Sequence, residues 1–520
     1  MNIIPRPQKV EELNGKIAFS NKTVIEGDFA STIAFAKSYL ADIDGDDTST
    51  LTFNMNDKLA DEEYKITCDG DKINVESSDE TGAFYAFQTL RQVANNGNYI
   101  VAVNVEDKPK YKHRGFMLDS ARHFWTTAKV KQFLDVMANI KMNVFHWHLT
   151  DDQGWRIEIK KYPLLATKGS IRKDTPLLLK GYGQNKEPHD GVKYGEGCYY
   201  SQDELREIVE YAKNLHINII PEIDMPGHMV AAIACYPELS CTGEATEVSN
   251  RWGIMDNILC IPKPNVMQFV HDVIDEVVDI FPYKYFHIGG DEVPKKRWKE
   301  NELCQKMIQD LGLKNENALQ GYFNNEIAKY LRTKGRCMIG WNEILDGQDV
   351  MDKDIIAQWW VHRPFGDKNE KNWMAKGGKV ILSICNYIYM DHSYGLRPLQ
   401  KTYKFSSSAV SLSDESSVVG MEIPQWTEYI RDEEKLDIMT YPRLLAFSEV
   451  CWTNDNIKDY NDFEGRLEAM RDYFKKAFGF TVAHQKVYRG KTQPWYVLNA
   501  YKFWGAHPYF EVEQNKLLMK

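Results

Sequence analysis

The segment Tyr285–Val293 reads Tyr-Phe-His-Ile-Gly-Gly-Asp-Glu-Val. Its first four residues have the apolar character of a short buried β-strand, and the two glycines that follow predict that the strand ends there. Two adjacent carboxylates, Asp291 and Glu292, are thereby placed at the carboxyl end of the strand. Such a pair disfavours ionisation of both groups, so it is either part of a functional site or a cap for a helix that begins near Pro294.

The same strand-then-helix pattern repeats along the chain after residue 108. Amphipathic helices are predicted at Val130–Ile140, Leu205–Ala212 and Val266–Val277, the second behind a capping box from Ser201 to Glu204. The eight candidate strands are Gly115–Leu118, Val144–His148, Ile217–Glu222, Tyr285–Ile288, Cys337–Trp341, Ile355–Trp359, Val380–Ile384 and Val418–Ile423. This pattern indicates the α/β fold class, as a (β/α)8 TIM barrel over residues 108–480 with any active site at the carboxyl ends of the strands.

Residues 1–107 are predicted to form a small α+β domain that precedes the barrel. Apolar residues alternate in Tyr64–Cys68 and again in Ile73–Val75, on either side of an Asp69-Gly70 turn, which indicates a β-hairpin. Two helices are predicted, Phe29–Leu40 and, behind an Asp79 N-cap, Thr81–Val93.

Two segments do not follow the barrel pattern. The long loop Thr150–Tyr200, which is rich in glycine and charge over Lys180–Gly197, is predicted to form a wall or lid at the active face. Residues 481–520 form a short C-terminal extension of unknown role, which we expect to pack on the barrel or to form a small β-rich module. Its aromatic residues include Trp495, Tyr496, Tyr501, Phe503, Trp504 and Tyr509.

The composition limits the partners of the chain. Its 520 residues are 43% hydrophobic and can bury a large core, whereas a net charge of −10 without a basic stripe argues against a nucleic-acid partner. No apolar run approaches the roughly 18 residues that a membrane-spanning helix needs. We expect a periplasmic or secreted protein whose signal peptide has been removed, with a cytoplasmic protein as the alternative. Nothing in the sequence indicates an oligomeric state.

Nine cysteines occur at irregular spacing, without a CxxC pair or a recognised pattern of metal ligands. We expect buried free thiols, with at most an occasional disulfide such as Cys241 to Cys260.

Every predicted barrel strand ends in polar or tryptophan side chains. In strand order these are Asp119 and Arg122; His146, Trp147, His148, Asp151 and Asp152; Glu222, Asp224 and His228; Asp291 and Glu292; Trp341 and Glu343; Trp359 and Trp360; Tyr389 and Asp391; and Trp426 and Glu428. One such residue is commonly a core side chain, but eight strands that all present such groups at one face indicate a binding or catalytic site.

The residue types suit a sugar ring. Tryptophans after strands five, six and eight could stack on the ring, and Arg122, Asp391 and Glu428 could bind its hydroxyls. A glycosidase needs one carboxylic acid to protonate the leaving oxygen and usually a second carboxylate across the ring. Asp291 and Glu292 are neighbours in sequence and suit opposite sides of a bond poorly. The alternative is a substrate that supplies its own nucleophile, such as the acetamido carbonyl of an N-acetyl sugar.

Four ordered segments resemble the β-N-acetylhexosaminidases of glycoside hydrolase family 20. They are Arg114–Phe124 (RGFMLDSARHF), Phe145–Arg156 (FHWHLTDDQGWR), Pro221–His228 (PEIDMPGH) and His287–Glu292 (HIGGDE). The resemblance spans about residues 1–480 and implies an exo-acting, retaining glycoside hydrolase that removes terminal β-linked N-acetylglucosamine or N-acetylgalactosamine through an oxazolinium intermediate. It implies a glycan partner, no cofactor and no metal.

The resemblance also implies residue roles. Glu292 would be the general acid and then the base, and Asp291 would bind the acetamido N–H and stabilise the oxazolinium. His228 and Asp151 would form a hydrogen-bonded relay that sets the pKa of Glu292. The other substrate-binding residues would be Arg122 and Glu428 for ring hydroxyls, Asp391 for the 6-hydroxyl, Tyr389 for the acetamido carbonyl, and Trp341, Trp360 and Trp426 around the N-acetyl group. Of the neighbours Trp359 and Trp360, the second fits the Gln-x-Trp pattern better.

The chain departs from the family pattern at two places. Asn342 stands where an acidic residue is common, and Pro424-Gln425 precedes Trp426 where Ala, Leu or Met is usual.

Two rival interpretations are open to the sequence. The His-Trp-His segment 146–148, together with His228, His287 and Asp291, could bind zinc in a metal-dependent barrel hydrolase. A non-enzymatic glycan-binding barrel would be expected to have lost Glu292 or its relay, and both are present.

Overall fold

The computed structural model describes residues 1–175, 191–362, 367–410, 412, 415–490 and 510–519. Eight parallel strands close into a barrel in which each strand pairs with the next in chain order and the last pairs with the first. The strands, numbered one to eight below, are His113–Asp119, Val144–His148, Asn218–Glu222, Tyr285–His287, Cys337–Trp341, Ile356–Trp359, Lys379–Leu382 and Val418–Gln425. The predicted α/β barrel is confirmed, and each strand overlaps its predicted range.

Amphipathic helices cover the outside of the barrel. The predicted capping box is present, because Ser201 Oγ accepts the N–H of Glu204 and the Glu204 carboxylate accepts the N–H of Ser201. The helices of this region are Thr127–Asn139, Leu164–Thr167, Gln202–Asn214, Val230–Cys235, Pro264–Ile280, Lys296–Glu300, Glu302–Asp310, Glu316–Thr333, Lys368–Ala375, Cys385–Ile388, Leu399–Tyr403, Glu433–Thr440, Arg443–Trp452, Tyr460–Ala469 and Arg471–Phe478. Short 3-10 helices are Pro237–Leu239, Asn342–Val350, Ser407–Ala409, Glu415–Ser417 and Asp455–Ile457, and a small hairpin joins Thr150–Asp151 to Gly154–Trp155.

The amino-terminal region is a mixed six-stranded sheet with two helices packed against it. The sheet order is Lys9–Ala18, Tyr99–Asp107, Tyr64–Asp69, Lys72–Ser77, Ser49–Met55 and Thr23–Gly27, and the helices are Ala30–Ala41 and Glu80–Ala94. The predicted hairpin is confirmed by the antiparallel pairing of its two strands. The Asp79 cap is confirmed as well, since its Oδ1 accepts the N–H of Gly82 at 2.7 Å.

A buried ion pair joins this sheet to the barrel. Lys141 Nζ lies 3.0 Å from Asp107 Oδ2 and 2.9 Å from the hydroxyl of Tyr64. Neither charged side chain has any exposed surface. Asp107 Oδ1 also accepts the indole N–H of Trp452 at 2.8 Å, so one carboxylate fastens the sheet to two parts of the barrel.

The interior of the barrel changes from apolar to charged along its axis. Val144, Ile220, Ile339, Ile356 and Ile381 form one buried cluster. Side chains of a strand alternate between its two faces, so the residue two positions further along points into the barrel as well. Those residues are His146, Glu222, Trp341, Gln358 and Ser383, all of them buried. The apolar layer therefore supports a polar layer nearer the carboxyl ends of the strands.

The remaining expectations concern the carboxyl terminus, the long loop and the cysteines. The helices Gln485–Tyr488 and Phe510–Met519 follow the barrel, and Asn515 Oδ1 accepts the N–H of His484 at 2.7 Å. The six aromatic residues named for this extension, and residues 176–190 of the long loop, lie outside the described residues.

All nine cysteines are free, so Cys241 and Cys260 do not form a disulfide. No described helix combines the length and apolar character needed to cross a membrane.

Candidate active site

The two glycines after strand four make the turn that presents the carboxylates. Gly289 has a φ of +66° and Gly290 a φ of +91°, a region of backbone space that glycine enters readily. A Cβ atom on Gly289 would lie 1.8 Å from Asp224 Oδ1. The same Oδ1 accepts the N–H of Gly290 at 3.0 Å, so this buried carboxylate holds the turn in place.

Asp291 and Glu292 leave this turn in different environments. The side chain of Asp291 is 12% exposed, whereas that of Glu292 is 35% exposed. Burial raises the pKa of Asp291. Partial desolvation, followed by the negative charge of Asp291, raises the pKa of Glu292 to about 7. Glu292 also has a φ of +49°, a strained conformation for a side chain of this kind that occurs mainly at functional sites.

Neither carboxylate caps a helix. The next helix, Lys296–Glu300, begins after Lys295 and has no side-chain cap. The capping alternative for the Asp-Glu pair is therefore wrong.

His228 lies behind the pair and carries a positive charge. Its Nδ1 is 3.1 Å from Asp151 Oδ1, a hydrogen-bond distance. Its Nε2 is 3.8 Å from Asp291 Oδ2 and 3.9 Å from Glu292 Oε2, which are ion-pair distances. Burial by itself would lower the pKa of His228. The negative charges of Asp151 and Asp224 outweigh the effect of burial and raise the pKa of His228 well above the ordinary value. The predicted relay thus consists of a hydrogen bond between His228 and Asp151 and a longer contact to Glu292.

Arg122 joins this relay to the opposite side of the cleft. Its guanidinium lies 2.7 Å from Asp151 Oδ2, 3.3 Å from Asp119 Oδ2 and 4.0 Å from Glu428 Oε1. Its Nε donates to Gln153 at 2.9 Å. Burial by itself would raise the pKa of the Asp151 carboxyl. The positive charges of Arg122 and His228 overcome this effect and hold the pKa of Asp151 well below its usual range.

Aromatic rings line the other part of the cleft. The rings of Trp341 and Trp426 have centroids 5.6 Å apart, and Trp360 stacks on Tyr389 at 5.8 Å with an interplanar angle of 16°. Met117 and Cys385 also belong to this cluster. Burial raises the pKa of Tyr389 well above its usual value, so its hydroxyl remains a hydrogen-bond donor at neutral pH.

Trp359, the last residue of strand six, and Trp360, which follows it, point in opposite directions. Trp359 is fully buried in the main core and donates to the carbonyl of Val361 at 2.9 Å. Trp360 joins the aromatic cluster of the cleft. The structure thus places Trp360, the tryptophan favoured by the sequence pattern, in the cleft.

Two carboxyl groups stand at the rim. Burial raises the pKa of Asp391 to about 6 and that of Glu428 to about 7, the latter against the opposing charge of Arg122. Asp391 Oδ1 is buried and has no hydrogen-bond partner within the described part of the chain. The structure thus brings all the site residues predicted from the sequence to one end of the barrel.

Glu222 is a connecting residue whose role is not evident from the sequence. Its carboxylate is fully buried and accepts the indole N–H of Trp341 at 2.8 Å. Its other oxygen lies 2.6 Å from His148 Nδ1, and His148 Nε2 lies 3.0 Å from Asp151 Oδ2. Glu222 therefore connects the aromatic pocket to the Asp151 relay. The signals for it in the sequence were its place at the end of strand three and its position within the segment Pro221–His228.

The unusual Asn342 positions the pocket tryptophan Trp360. Its Oδ1 accepts the backbone N–H of Trp360 at 3.0 Å, and its Nδ2 donates to Glu370 at 2.6 Å. An aspartate could accept the first bond but could not donate the second. Glu343, also without an assigned role, accepts the indole N–H of Trp360 at 2.8 Å, and burial followed by the charge of Asp291 raises the pKa of Glu343 to about 8.

Two family models match the chain. The model described as "Glycosyl hydrolase family 20, catalytic domain" matches residues 111–455, and the model described as "Glycosyl hydrolase family 20, domain 2" matches residues 1–108.

Relatives with similar sequences are named β-hexosaminidases. One from Porphyromonas gingivalis is 34% identical over 90% of this chain, which spans 62% of that protein's length. One from Akkermansia muciniphila is 31% identical over 80% of this chain and 84% of its own.

Solved structures with the same fold include two with high similarity. The GH20 exo-β-N-acetylglucosaminidase of Vibrio harveyi, solved in complex with N-acetylglucosamine, has a TM-score of 0.81 and 29% identity, covering 93% of this chain and 78% of its own. The β-N-acetylhexosaminidase of Bacteroides fragilis has a TM-score of 0.79 and 29% identity, covering 95% of this chain and 99% of its own.

Proposed function

The chain belongs to glycosyl hydrolase family 20, and we propose that it is an exo-acting, retaining β-N-acetylhexosaminidase. Its substrate is a glycan that ends in β-linked N-acetylglucosamine or N-acetylgalactosamine. The substrate's own acetamido group is the nucleophile, and an oxazolinium ion is the intermediate. The names of the relatives support the substrate class, and the arrangement of carboxylates supports the mechanism.

One observation carries the proposal. Asp291 Oδ1 is a buried carboxylate oxygen without a hydrogen-bond partner among the residues that the structure describes. A buried acceptor that lacks a donor is costly, so this oxygen is suited to receive the N–H of an acetamido group. The methyl of that group would lie among the rings of Trp341, Trp360 and Trp426, which exclude water.

Glu292 handles the protons of the reaction. With a pKa raised to about 7, a substantial fraction of its carboxyl groups is protonated near neutral pH, as a general acid requires. It donates its proton to the glycosidic oxygen while the acetamido carbonyl oxygen bonds to the anomeric carbon. The bond from that carbon to the leaving oxygen breaks, and the rest of the glycan departs as an alcohol.

In the second half of the reaction, Glu292 acts as a general base instead of a general acid. Glu292, now a carboxylate, accepts a proton from water as the water oxygen bonds to the anomeric carbon. The oxazolinium ring opens and restores the acetamido group, so the β configuration is retained. Asp291 stabilises the positive ring through its fixed negative charge, and Tyr389 donates a hydrogen bond to the acetamido oxygen.

The remaining residues position the sugar and tune the acid. Arg122 is held by Asp119, Asp151 and Gln153, so its guanidinium is already oriented to donate to the ring hydroxyls. Glu428 and Asp391 accept hydrogen bonds from the 4- and 6-hydroxyls. The positive charge of His228 opposes the rise in the pKa of Glu292, and Asp151 keeps His228 charged.

A pair of aryl glycosides tests the proposal. We expect aryl N-acetyl-β-glucosaminide to be hydrolysed with release of the β anomer, and aryl β-glucoside, which lacks the acetamido nucleophile, to be left intact. Hydrolysis of both at similar rates would contradict substrate assistance. If neither the N-acetyl-β-glucosaminide nor the N-acetyl-β-galactosaminide were hydrolysed, the proposed hexosaminidase activity itself would be contradicted.

The zinc alternative is tested separately by chelation. His148 Nδ1 lies 2.6 Å from Glu222 Oε2, His148 Nε2 lies 3.0 Å from Asp151 Oδ2, and His146 Nδ1 lies 2.6 Å from Glu422 Oε1. These three nitrogens therefore already have hydrogen-bond partners in the protein. We expect full activity after dialysis against EDTA. Loss of activity that added Zn²⁺ restores, in a Cys241→Ser variant as well as in the wild type, would favour the metal-dependent hydrolase.

Asp391 is expected to discriminate against a 6-sulfate. Its pKa of about 6 means that it is negatively charged above that pH and repels the sulfate. Labelled glycans ending in β-GlcNAc, β-GalNAc and their 6-sulfated forms should show slower cleavage of the sulfated ends, with a larger difference above pH 6 than below it. Equal rates would mean that a cation such as Arg397 neutralises the sulfate.

A further inference from the structure

Three cysteines that are distant in sequence meet beside the loop that carries His228. The Sγ atoms of Cys241, Cys260 and Cys304 all lie within 4.8 Å of one another, and those of Cys260 and Cys304 are 4.0 Å apart. Cys260 and Cys304 are buried, whereas Cys241 is half-buried. The cluster is thus open to solvent on the side of Cys241.

The backbone holds the three sulfur atoms at this spacing. The N–H of Cys260 donates to Leu239 O at 2.9 Å, and the N–H of Cys304 donates to Asn301 Oδ1 at 3.1 Å. The side chain of Asn301 also donates to Cys241 O at 3.4 Å. Each cysteine-bearing segment is therefore fixed against its neighbours, which makes this a built site rather than a chance contact of side chains.

The spacing matches a metal–thiolate centre better than a disulfide. Sulfur atoms bound to a tetrahedral cation at about 2.3 Å are roughly 3.8 Å apart, close to the observed 4.0 Å between Cys260 and Cys304. A disulfide requires about 2.05 Å. Small side-chain rotations would bring three thiolates onto one cation, and water could take a fourth position on the side of Cys241.

One lysine and the amino terminus of one helix lie beside the cluster and would offset part of its negative charge. Lys263 Nζ donates to Ser240 O at 2.6 Å and to Glu238 O at 3.0 Å, directly before Cys241 in the chain. Cys304 lies in the first turn of the helix Glu302–Asp310, where the helix dipole favours an anion. Lys263 and the helix amino terminus therefore favour the deprotonated thiolate form of the cysteines, which is the form that binds a metal cation.

We propose that Cys241, Cys260 and Cys304 form a binding site for one thiophilic d¹⁰ cation of the Zn²⁺ type. Each thiol releases its proton as its sulfur binds the metal, and no electron is transferred. The site is structural: the N–H of Leu259 donates to Pro226 O at 3.0 Å, so a cation at Cys260 would brace the segment that leads to His228. It is independent of the hydrolysis proposed above.

Cadmium titration of the reduced full-length protein tests the site. We expect one equivalent of Cd²⁺ to produce thiolate-to-metal charge-transfer absorption, and a large excess of Zn²⁺ to reduce this absorption by competing for the same site. Cys241→Ser and Cys304→Ser should each weaken binding at least about tenfold. Cys68→Ser, which removes a half-buried cysteine of the amino-terminal sheet, is the matched control and should leave the titration unchanged.

Thermal unfolding provides a second readout. Zn²⁺ should raise the Tm of the wild-type protein and of Cys68→Ser but not that of Cys241→Ser, which changes the least buried member of the cluster. Absence of one-equivalent binding would overturn the proposal. So would a disulfide within the cluster, detected as two fewer titratable thiols in the denatured, unreduced protein than the nine of the reduced chain.

Discussion

Asp291 and Glu292 have adjacent positions in the chain but different surroundings, and this difference separates their chemistry. Asp291 is buried with an unpaired oxygen, whereas Glu292 faces the cleft with a pKa near 7. In the proposed mechanism, a single turn therefore supplies one residue for the acetamido group and another for the protons.

Glu292→Gln tests the proton-transfer role. The amide has nearly the same shape but cannot donate the proton, so we expect turnover of aryl N-acetyl-β-glucosaminide to fall by about 10²–10⁴-fold, with folding and binding of a thiazoline inhibitor retained. Glu300→Gln, which alters an exposed glutamate of the next helix, is the control. Unchanged turnover in Glu292→Gln would remove Glu292 from the acid role.

The pH dependence of kcat/KM reports the charges around Glu292. The protonated acid is the active form, so activity should fall as the pH rises through about 7. Asp291 raises the pKa of Glu292 and His228 lowers it. Asp291→Asn should therefore shift the pH at which kcat/KM falls to a lower value, and His228→Asn should shift it to a higher value. Asp291→Asn should also reduce the rate by about 10²–10³-fold. If the pH profiles of the two variants did not shift in opposite directions, the proposed effects of Asp291 and His228 on the pKa of Glu292 would be contradicted.

At the scale of the element, the turn after strand four depends on contact between a backbone and a carboxylate. Gly289 has little room for a side chain, because Asp224 lies against its Cα and binds the following N–H. The turn therefore requires glycine both for its backbone conformation and for this close approach.

Gly289→Ala separates these two requirements when it is compared with Gly312→Ala. Both glycines have φ values near +65° (+66° and +62°), but a Cβ on Gly312 meets no atom within 4 Å. Gly312→Ala should lower the free energy of unfolding by only about 1–2 kcal/mol. Gly289→Ala should cost more and should also reduce activity, because Asp224 or the Asp-Glu turn must move. Equal effects in chemical denaturation would show that the contact with Asp224 is unimportant.

At the scale of the whole molecule, buried charges connect parts of the chain that are far apart in sequence. Within the barrel, His146 Nδ1 lies 2.6 Å from Glu422 Oε1, which is 276 residues away. Between the sheet and the barrel, Lys141 pairs with Asp107 and neither has contact with water.

Lys141→Met tests the connection between the sheet and the barrel. It leaves the buried Asp107 without its cation, so we expect a loss of about 3–5 kcal/mol in the free energy of unfolding. Lys112→Met removes one partner of an ion pair that is almost fully exposed, with Lys112 87% and Asp61 81% accessible, and should change stability by less than about 1 kcal/mol. Similar losses in the two variants would show that the buried pair does not hold the sheet to the barrel.

The sequence by itself determined the eight strands, the amphipathic helices and the strand-end residues, because strand and helix periodicities and capping are local properties. It also determined that Asp291 and Glu292 follow a strand and two glycines. It could not separate the capping alternative from the functional one, since that choice depends on where the next helix begins.

Only the tertiary structure decided which charges meet and which oxygen remains without a partner. Burial and the approach of groups from other strands set the pKa of Glu292, and Glu222 became a link between Trp341 and His148 only when strands two, three and five were brought together. The three-cysteine cluster has the same origin, because closure of the barrel and packing of its loops, rather than any spacing in the sequence, place the sulfur atoms side by side.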